Sequence, residues 1–390
     1  MDFSDPIPIA RSLIRRRSVT PTDDGALDIL ANALTSLGFE IHDLTFDGDG
    51  GAPVRNIYAR LGTDAPHFCY AGHTDVVPPG DEEDWRHPPF EGTVDQEKLW
   101  GRGAADMKGS IAAFVAALGR LLEHKSPQGS ISLMITGDEE ADAINGTRKI
   151  LEWLEQSGEK IDHCLVGEPT SVARLGDMMK VGRRGSINCW LTVFGTQGHV
   201  AYPHRAQNPI PSLMRKLLCL SDTPLDEGYE RFQPSSLQVT QIEIGNPAHN
   251  VIPAKATARF NIRFNPNWTG TTIQKWIRDQ ISAAADDLEY DLKCIVSGEA
   301  FLTQDPAFVS LIEQAVFDVT GQTPEASTSG GTSDARFIKD VAPVVEFGLV
   351  GESMHKTDEH AAIADINLLS RTYELILERY FDPTQDQETV

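Results

Sequence analysis

The chain has 390 residues, 40% hydrophobic and 23% charged, which is ordinary for a folded protein and long enough for more than one domain. Its 34 basic against 57 acidic residues give a formal charge of -23, arguing against nucleic acid or an anionic membrane as partner, since both select basic surfaces. No apolar run approaches a membrane-spanning length, and no apolar signal core follows Arg15, Arg16 and Arg17. Five cysteines (Cys69, Cys164, Cys189, Cys219, Cys294) are odd in number, scattered and free of any C-x-x-C pair. Buried free thiols in a reducing cytoplasm are therefore expected.

In chain order, residues 9–17 and 25–37 predict helices, and 54–61 and 68–71 predict strands. Residues 108–123 set Ile111, Phe114, Val115, Leu118 and Leu122 on one helical face. A short strand at 131–136, a helix at 147–156 and a strand at 164–166 follow. This alternation predicts an α/β fold with a mostly parallel sheet covered by helices. The middle changes character: strand 186–194, helix 209–220, strands 237–244 and 256–264, helix 272–285, strand 290–296. That β-α-β-β-α-β order is the ferredoxin-like pattern and predicts an inserted α+β domain. Helix 306–319, an extended apolar stretch at 343–349 and helix 366–380 return to the first pattern. The expected division is 1–179 and 298–390 for the two parts of the catalytic domain, with 180–297 inserted between them.

Acidic and imidazole side chains recur just after the predicted strands. His73 and Asp75 follow the strand ending at Ala71, Glu139 and Glu140 follow 131–136, Glu168 follows 164–166, and His355 follows 343–349. Asp106 precedes the helix at 108. Singly, each has a plain structural explanation: a helix N-cap for Asp106, a solvated acidic loop for Glu139-Glu140, a surface imidazole for either histidine. Ligands in open α/β sheets sit beyond the carboxyl ends of the strands, so parallel neighbouring strands would gather all five positions into one crevice. Imidazole and carboxylate together are metal-ligand chemistry. No G-x-S-x-G elbow or H-E-x-x-H helix is present, and Asp106 replaces the last glycine of a dinucleotide fingerprint, where a carboxylate would repel pyrophosphate.

Tyr70-Ala71-Gly72-His73-Thr74-Asp75-Val76-Val77-Pro78 and Gly101-Arg102-Gly103-Ala104-Ala105-Asp106-Met107-Lys108-Gly109 resemble the two signatures of the M20 metallopeptidases. Gly137-Asp138-Glu139-Glu140, Gly167-Glu168-Pro169-Thr170 and Met354-His355-Lys356 are similar to that family's other ligand segments, in the same order. The resemblance implies a metal-dependent amidase with two zinc ions per subunit, cobalt or manganese being able to substitute. Asp106 would bridge the ions, His73 and Glu168 completing one site and Glu140 and His355 the other. It further implies Asp75 as the carboxylate orienting His73, Glu139 as general base, and the inserted domain as a dimerisation lid. Thr196-Gln197-Gly198-His199-Val200-Ala201-Tyr202-Pro203 matches the motif whose histidine, here His199, reaches the partner's site in a homodimer as an oxyanion donor.

Within the family, four segments resemble the branch that removes succinate from N-succinyl-LL-2,6-diaminopimelate in lysine and peptidoglycan precursor synthesis. They are Val181-Gly182-Arg183-Arg184-Gly185-Ser186, Asn250-Val251-Ile252-Pro253-Ala254, Asn261-Ile262-Arg263-Phe264, and the run from Ser329 to Phe337. The expected partner is thus a small N-succinyl amino acid. Arg183 and Arg263 would anchor its extra carboxylate, with Ser186, Tyr202, Asn250 and Thr332 as polar contacts. Arg184 reads equally as a structural ion-pair partner. Some members of the branch carry asparagine where this chain has Gly351, so contacts in that loop are expected from backbone or Ser353. The alternative substrate is an N-acetyl amino acid such as acetylornithine, which the same core motifs would serve.

Overall fold

The computed structural model describes residues 3–284 and 286–382, and these divide into two compact units. The first comprises residues through Val181, Thr303–Ser327 and the chain from Ser333; the second comprises Gly182–Leu302 with Thr328–Thr332.

An eight-stranded sheet organises the first unit. Its strands run in the order Glu40–Phe46, Val54–Leu61, Ser130–Thr136, His67–His73, His163–Val166, Val344–Glu346, Met178–Lys180, Glu325–Ser327. The four at its centre, from Ser130–Thr136 to Val344–Glu346, are mutually parallel, as the alternating pattern predicts. His67–His73 and Ser130–Thr136 are buried along their whole length, which explains their largely apolar interiors. The helix Lys108–His124 packs beneath them and is buried on nearly every side; Phe114 stacks on Tyr70 with ring centroids 4.0 Å apart. Helices Pro6–Ile14, Pro209–Asp222 and Pro306–Thr320 begin where the sequence supplies a cap and a proline. Asp305 accepts from the Phe308 amide at 2.9 Å ahead of Pro306–Thr320, and Gly321 ends that helix in the left-handed region.

The second unit is a four-stranded antiparallel sheet, Ser236–Glu243, Lys255–Phe264, Gly185–Phe194, Tyr290–Gly298, with helices Pro209–Asp222 and Gly270–Ala283. The predicted end of the latter helix at residue 285 lies outside the described residues. Ile187, Leu191, Phe260, Ile262, Ile273 and Ile277 fill the core between sheet and helices. Cys189 and Cys294 face each other across paired strands with their Sγ atoms 3.0 Å apart.

The unit's limits differ from the sequence expectation at its C-terminal side. Phe301–Leu302 pairs with Gly182–Arg183, and residues 328–332 return to it. Thr328 Oγ1 donates to the Arg231 carbonyl at 2.9 Å, and the Arg183 guanidinium donates to the Gly331 carbonyl at 3.1 Å. These are long-range contacts that local composition does not announce. Among the described residues no helix is long and apolar enough to cross a membrane.

Candidate metal centre

The parallel strands deliver their ligand candidates to one place. His73 is the last residue of its strand, and its Nδ1 donates to the Asp75 backbone carbonyl at 2.9 Å. That bond fixes the tautomer and turns Nε2 toward Asp106 Oδ1 at 3.3 Å and Glu168 Oε1 at 3.7 Å. His355 Nε2 lies 3.0 Å from Glu140 Oε1 and 3.3 Å from Asp106 Oδ2. Two three-residue clusters result, His73/Asp106/Glu168 and Asp106/Glu140/His355, each with its donor atoms within 4.8 Å of one another. Asp106 contributes one oxygen to each.

Asp75 departs in detail from the sequence expectation. Its carboxylate stands 3.6 Å from His73 Nδ1, because the backbone carbonyl of the same residue holds that proton instead. The two carboxylate oxygens accept the backbone N–H groups of Glu139 at 3.3 Å and Glu140 at 3.1 Å. Asp75 therefore orients the acidic pair as well as the imidazole. Behind that pair, Asp138 accepts from the amides of Ala143, Ile144 and Asn145 and closes the loop on itself.

Asp106 arrives on a tight loop. Gly103 has φ +87°, and a Cβ there would stand 3.0 Å from Val76 Cγ1, so this turn requires glycine. Three amides of the loop, those of Gly103, Ala105 and Asp106, converge on Oε1 of the buried Glu359 at 3.0–3.1 Å. Oε2 of Glu359 takes an ion pair from Arg102 at 2.7 Å. Neither residue is singled out by sequence; Arg102 sits inside a recognised motif, but Glu359 reads as part of a polar turn.

Burial and mutual charge shift these groups strongly. Burial raises Glu168, and the Asp106 charge raises it further; Glu139 is likewise pushed well above its ordinary value by burial and then by the Asp334 carboxylate. Burial lifts Asp75 to about 6. For Asp106 burial works upward, but the neighbouring His355 and His73 imidazoles hold it well below the usual carboxylate range. His355 is raised to about 10 by Asp106 and Glu140. His73 is lowered by burial yet carried well above its ordinary value by Asp106, Asp75 and Glu168. Such concentrated perturbation marks a functional site.

These residues fit a divalent cation. His73 Nε2 and Asp106 Oδ1 are both buried, face each other and have no hydrogen-bond partner. A positive ion between them satisfies both, and the mixed nitrogen and oxygen donor set suits a divalent metal.

Except for Ser353, the remaining predicted residues lie in the second unit. His199 pairs across a two-strand ribbon with Val251, beside Asn250, whose carbonyl accepts from the Val200 amide at 3.1 Å. Its Nδ1 accepts from the Ala201 amide at 3.0 Å, which leaves the ring proton on the exposed Nε2. Tyr202 is exposed alongside, ring centroids 5.6 Å apart. Ser186 and Arg263 are register partners on neighbouring strands, and Ser186 Oγ accepts from Asn261 Nδ2 at 3.2 Å. Arg263 is held below its ordinary pKa by burial and then by the Arg184 charge, a concentration of cationic side chains suited to a carboxylate. Arg183 is buried against the Gly331 carbonyl, in the segment that carries Thr332. Ser353 is engaged elsewhere: its hydroxyl donates to the His360 carbonyl at 2.7 Å and accepts the His360 amide at 3.1 Å. The expected substrate contact from Ser353 is thus replaced by a loop-closing one.

Residues 69–379 match Peptidase family M20/M25/M40. The chain is 56% identical over 378 residues to succinyl-diaminopimelate desuccinylase of Rhodospirillum centenum, covering 97% of both chains. It is 55% identical over 379 residues to the desuccinylase of Parvibaculum lavamentivorans, covering 97% of this chain and 96% of that one. Among solved structures, an aminopeptidase from Bacillus cereus superposes with a TM-score of 0.77 at 17% identity, covering 97% of this chain and 99% of that one, which shows a shared fold.

Proposed function

The chain belongs to peptidase family M20/M25/M40, and from that premise we propose that it hydrolyses N-succinyl-LL-2,6-diaminopimelate to succinate and LL-2,6-diaminopimelate. It is a metal-dependent amidohydrolase of lysine and diaminopimelate biosynthesis. The observation that carries the chemistry is Asp106, one carboxylate shared between two half-sites of imidazole and carboxylate. Relatives above half identity over nearly the whole chain support the substrate.

His73, Asp106 and Glu168 would hold one ion, and Asp106, Glu140 and His355 a second. When bound, two zinc ions, with cobalt or manganese as substitutes, would supply the positive charge that brings a water's pKa toward neutrality and polarises the amide carbonyl. Glu139 belongs to neither ligand cluster and takes the proton of the attacking water. It then delivers that proton to the departing amine, one carboxyl serving both steps. Asp75 keeps Glu139 and Glu140 in place through their amides. His199, with its proton on Nε2, donates to the carbonyl oxygen as charge develops there. Arg183 and Arg263 pair with the free carboxylate of the succinyl group, with Ser186, Tyr202, Asn250 and Thr332 completing the polar lining.

The protein works as a cytoplasmic homodimer in which His199 serves the partner's site. Supporting this, the edge strand Ser236–Glu243 exposes Val239 and Ile242, and helix Pro209–Asp222 exposes Met214 and Leu218. That apolar surface suits a second copy. A substrate panel tests the function: zinc-loaded protein should release succinate from N-succinyl-diaminopimelate far faster than acetate from acetylornithine, and the reverse order would overturn the assignment.

A further inference from the structure

Glu359 is fully buried and belongs to neither ligand cluster, yet every oxygen it has is committed to the frame of the site. Oε1 gathers the amides of Gly103, Ala105 and Asp106, and its own backbone carbonyl accepts from Gly101 at 2.9 Å. Oε2 binds Arg102, whose guanidinium donates further to the Lys356 carbonyl at 3.1 Å and the Pro78 carbonyl at 3.3 Å. One ion pair thus ties together three segments: the chain just after His73 and Asp75, the loop that presents Asp106, and the turn that presents His355.

A buried ion pair is a poor way to gain stability, because desolvating both charges offsets most of their attraction and apolar replacements are often no worse. Its value lies in geometry. Three N–H groups aimed at one oxygen fix the loop bearing Asp106, while the grip of Arg102 on Lys356 fixes the residue next to His355. The two ends of the pair therefore set how far apart these ligands stand. His73 needs no such help, being the end of a fully buried strand. His355 does: it sits at φ +62° with its side chain 47% exposed, so packing alone does not place it.

We propose that Glu359, acting through Arg102, is a positioning residue that sets the Asp106–His355 separation and thereby controls filling of the Asp106/Glu140/His355 site. The inference rests on the ligand assignment made above. Outer partners of metal ligands typically govern affinity by about 10–100-fold, so loosening this pair should weaken the second ion by that order and leave the first nearly unchanged.

The test is a cobalt titration of the metal-free full-length protein, followed by visible absorption and calorimetry, for wild type, Glu359→Gln and Arg102→Lys. Wild type should bind two ions. Glu359→Gln should bind the first as wild type does and the second about 10–100-fold more weakly, with an unchanged circular dichroism spectrum. Its turnover should recover at saturating metal, a rescue that general structural damage would not allow. Arg102→Lys keeps the charge but loses the forked reach to Lys356 and Pro78, and should shift the same step. Two-step isotherms identical to wild type in both variants, equal weakening of both ions, or failure of both variants to fold would overturn the proposal. Wild-type protein that bound fewer than two ions would instead sink the ligand assignment, and this inference with it.

Discussion

Stripping the metal should reverse how the protein's stability responds to pH. In the metal-free state Asp75, 1% exposed, titrates at about 6 against 3.8 in the unfolded chain. The folded state therefore holds this proton more tightly, and the stability it contributes is complete below 3.8 and lost as pH rises through about 6. The shift is worth about 3 kcal/mol in all, roughly half of it above pH 5. His73 and His355 have raised folded pKa values and the same sign, with His355 extending the loss toward its value of about 10. The His355 share is small after solvent screening, since that side chain is half exposed. Asp106 has the opposite sign, but its effect is confined to strongly acid solution. With metal present the order inverts, because binding displaces these protons and tightens as pH rises. At a free metal concentration a hundredfold above the dissociation constant, each site adds about 2.7 kcal/mol. Denaturant unfolding between about pH 5 and about pH 7, with chelator and with zinc, reads both curves; above that the buried Lys108 amine, lowered to about 7 by burial, contributes with the opposite sign. The chelated protein should lose stability across that range while the increment from zinc grows. A chelated protein that became more stable with rising pH, or a zinc increment equal at both ends, would refute the reasoning.

Three further substitutions probe the site. Glu139→Gln should retain both ions, because the Asp75 bond is to the backbone amide, while kcat falls about 10²–10⁴-fold; metal analysis showing a lost ion would make Glu139 a ligand. His199→Ala should lower kcat by about 10²-fold with metal content unchanged. Mixing it with Glu139→Gln should regenerate active hybrid dimers, and no recovery after subunit exchange would argue against a shared site. Gly330→Ala should raise KM more than it lowers kcat: φ is +104° and the new Cβ would stand 2.9 Å from the Arg183 guanidinium, displacing it. An unchanged KM would remove Arg183 from substrate binding.

Strand ends were the most legible feature. A short buried strand of a parallel sheet is a largely apolar run, so the polar residues at its end stand out; His73 and Glu168 were visible at or just after such ends, and Glu140 and His355 in the loops that follow. The antiparallel edge strand Glu40–Phe46 was missed for the converse reason, since its side chains are mostly polar and partly exposed on both faces. Three-residue strands such as Met178–Lys180 and Glu325–Ser327 are too short to carry a period. Asp75 was legible as an accessory to His73, but which of its oxygens does what depends on backbone direction after the strand. Glu359 was illegible because its meaning lies in amides more than 250 residues away and in Arg102, 257 positions distant. The return of residues 328–332 to the second unit likewise depends on bonds to Arg183 and Arg231 that no local pattern encodes.

The order of ligands along the chain bears on how the protein is made. His73, Asp106 and Glu168 all precede the second unit, whereas His355 follows it and waits on Val344–Glu346 to add beside His163–Val166. During vectorial synthesis from the N-terminus, the first constellation emerges whole from the ribosome, with the second still more than a hundred codons from completion. On the ligand assignment proposed above, the residues of one half-site would thus be in place long before His355 completes the other, and the last imidazole would set the end of maturation.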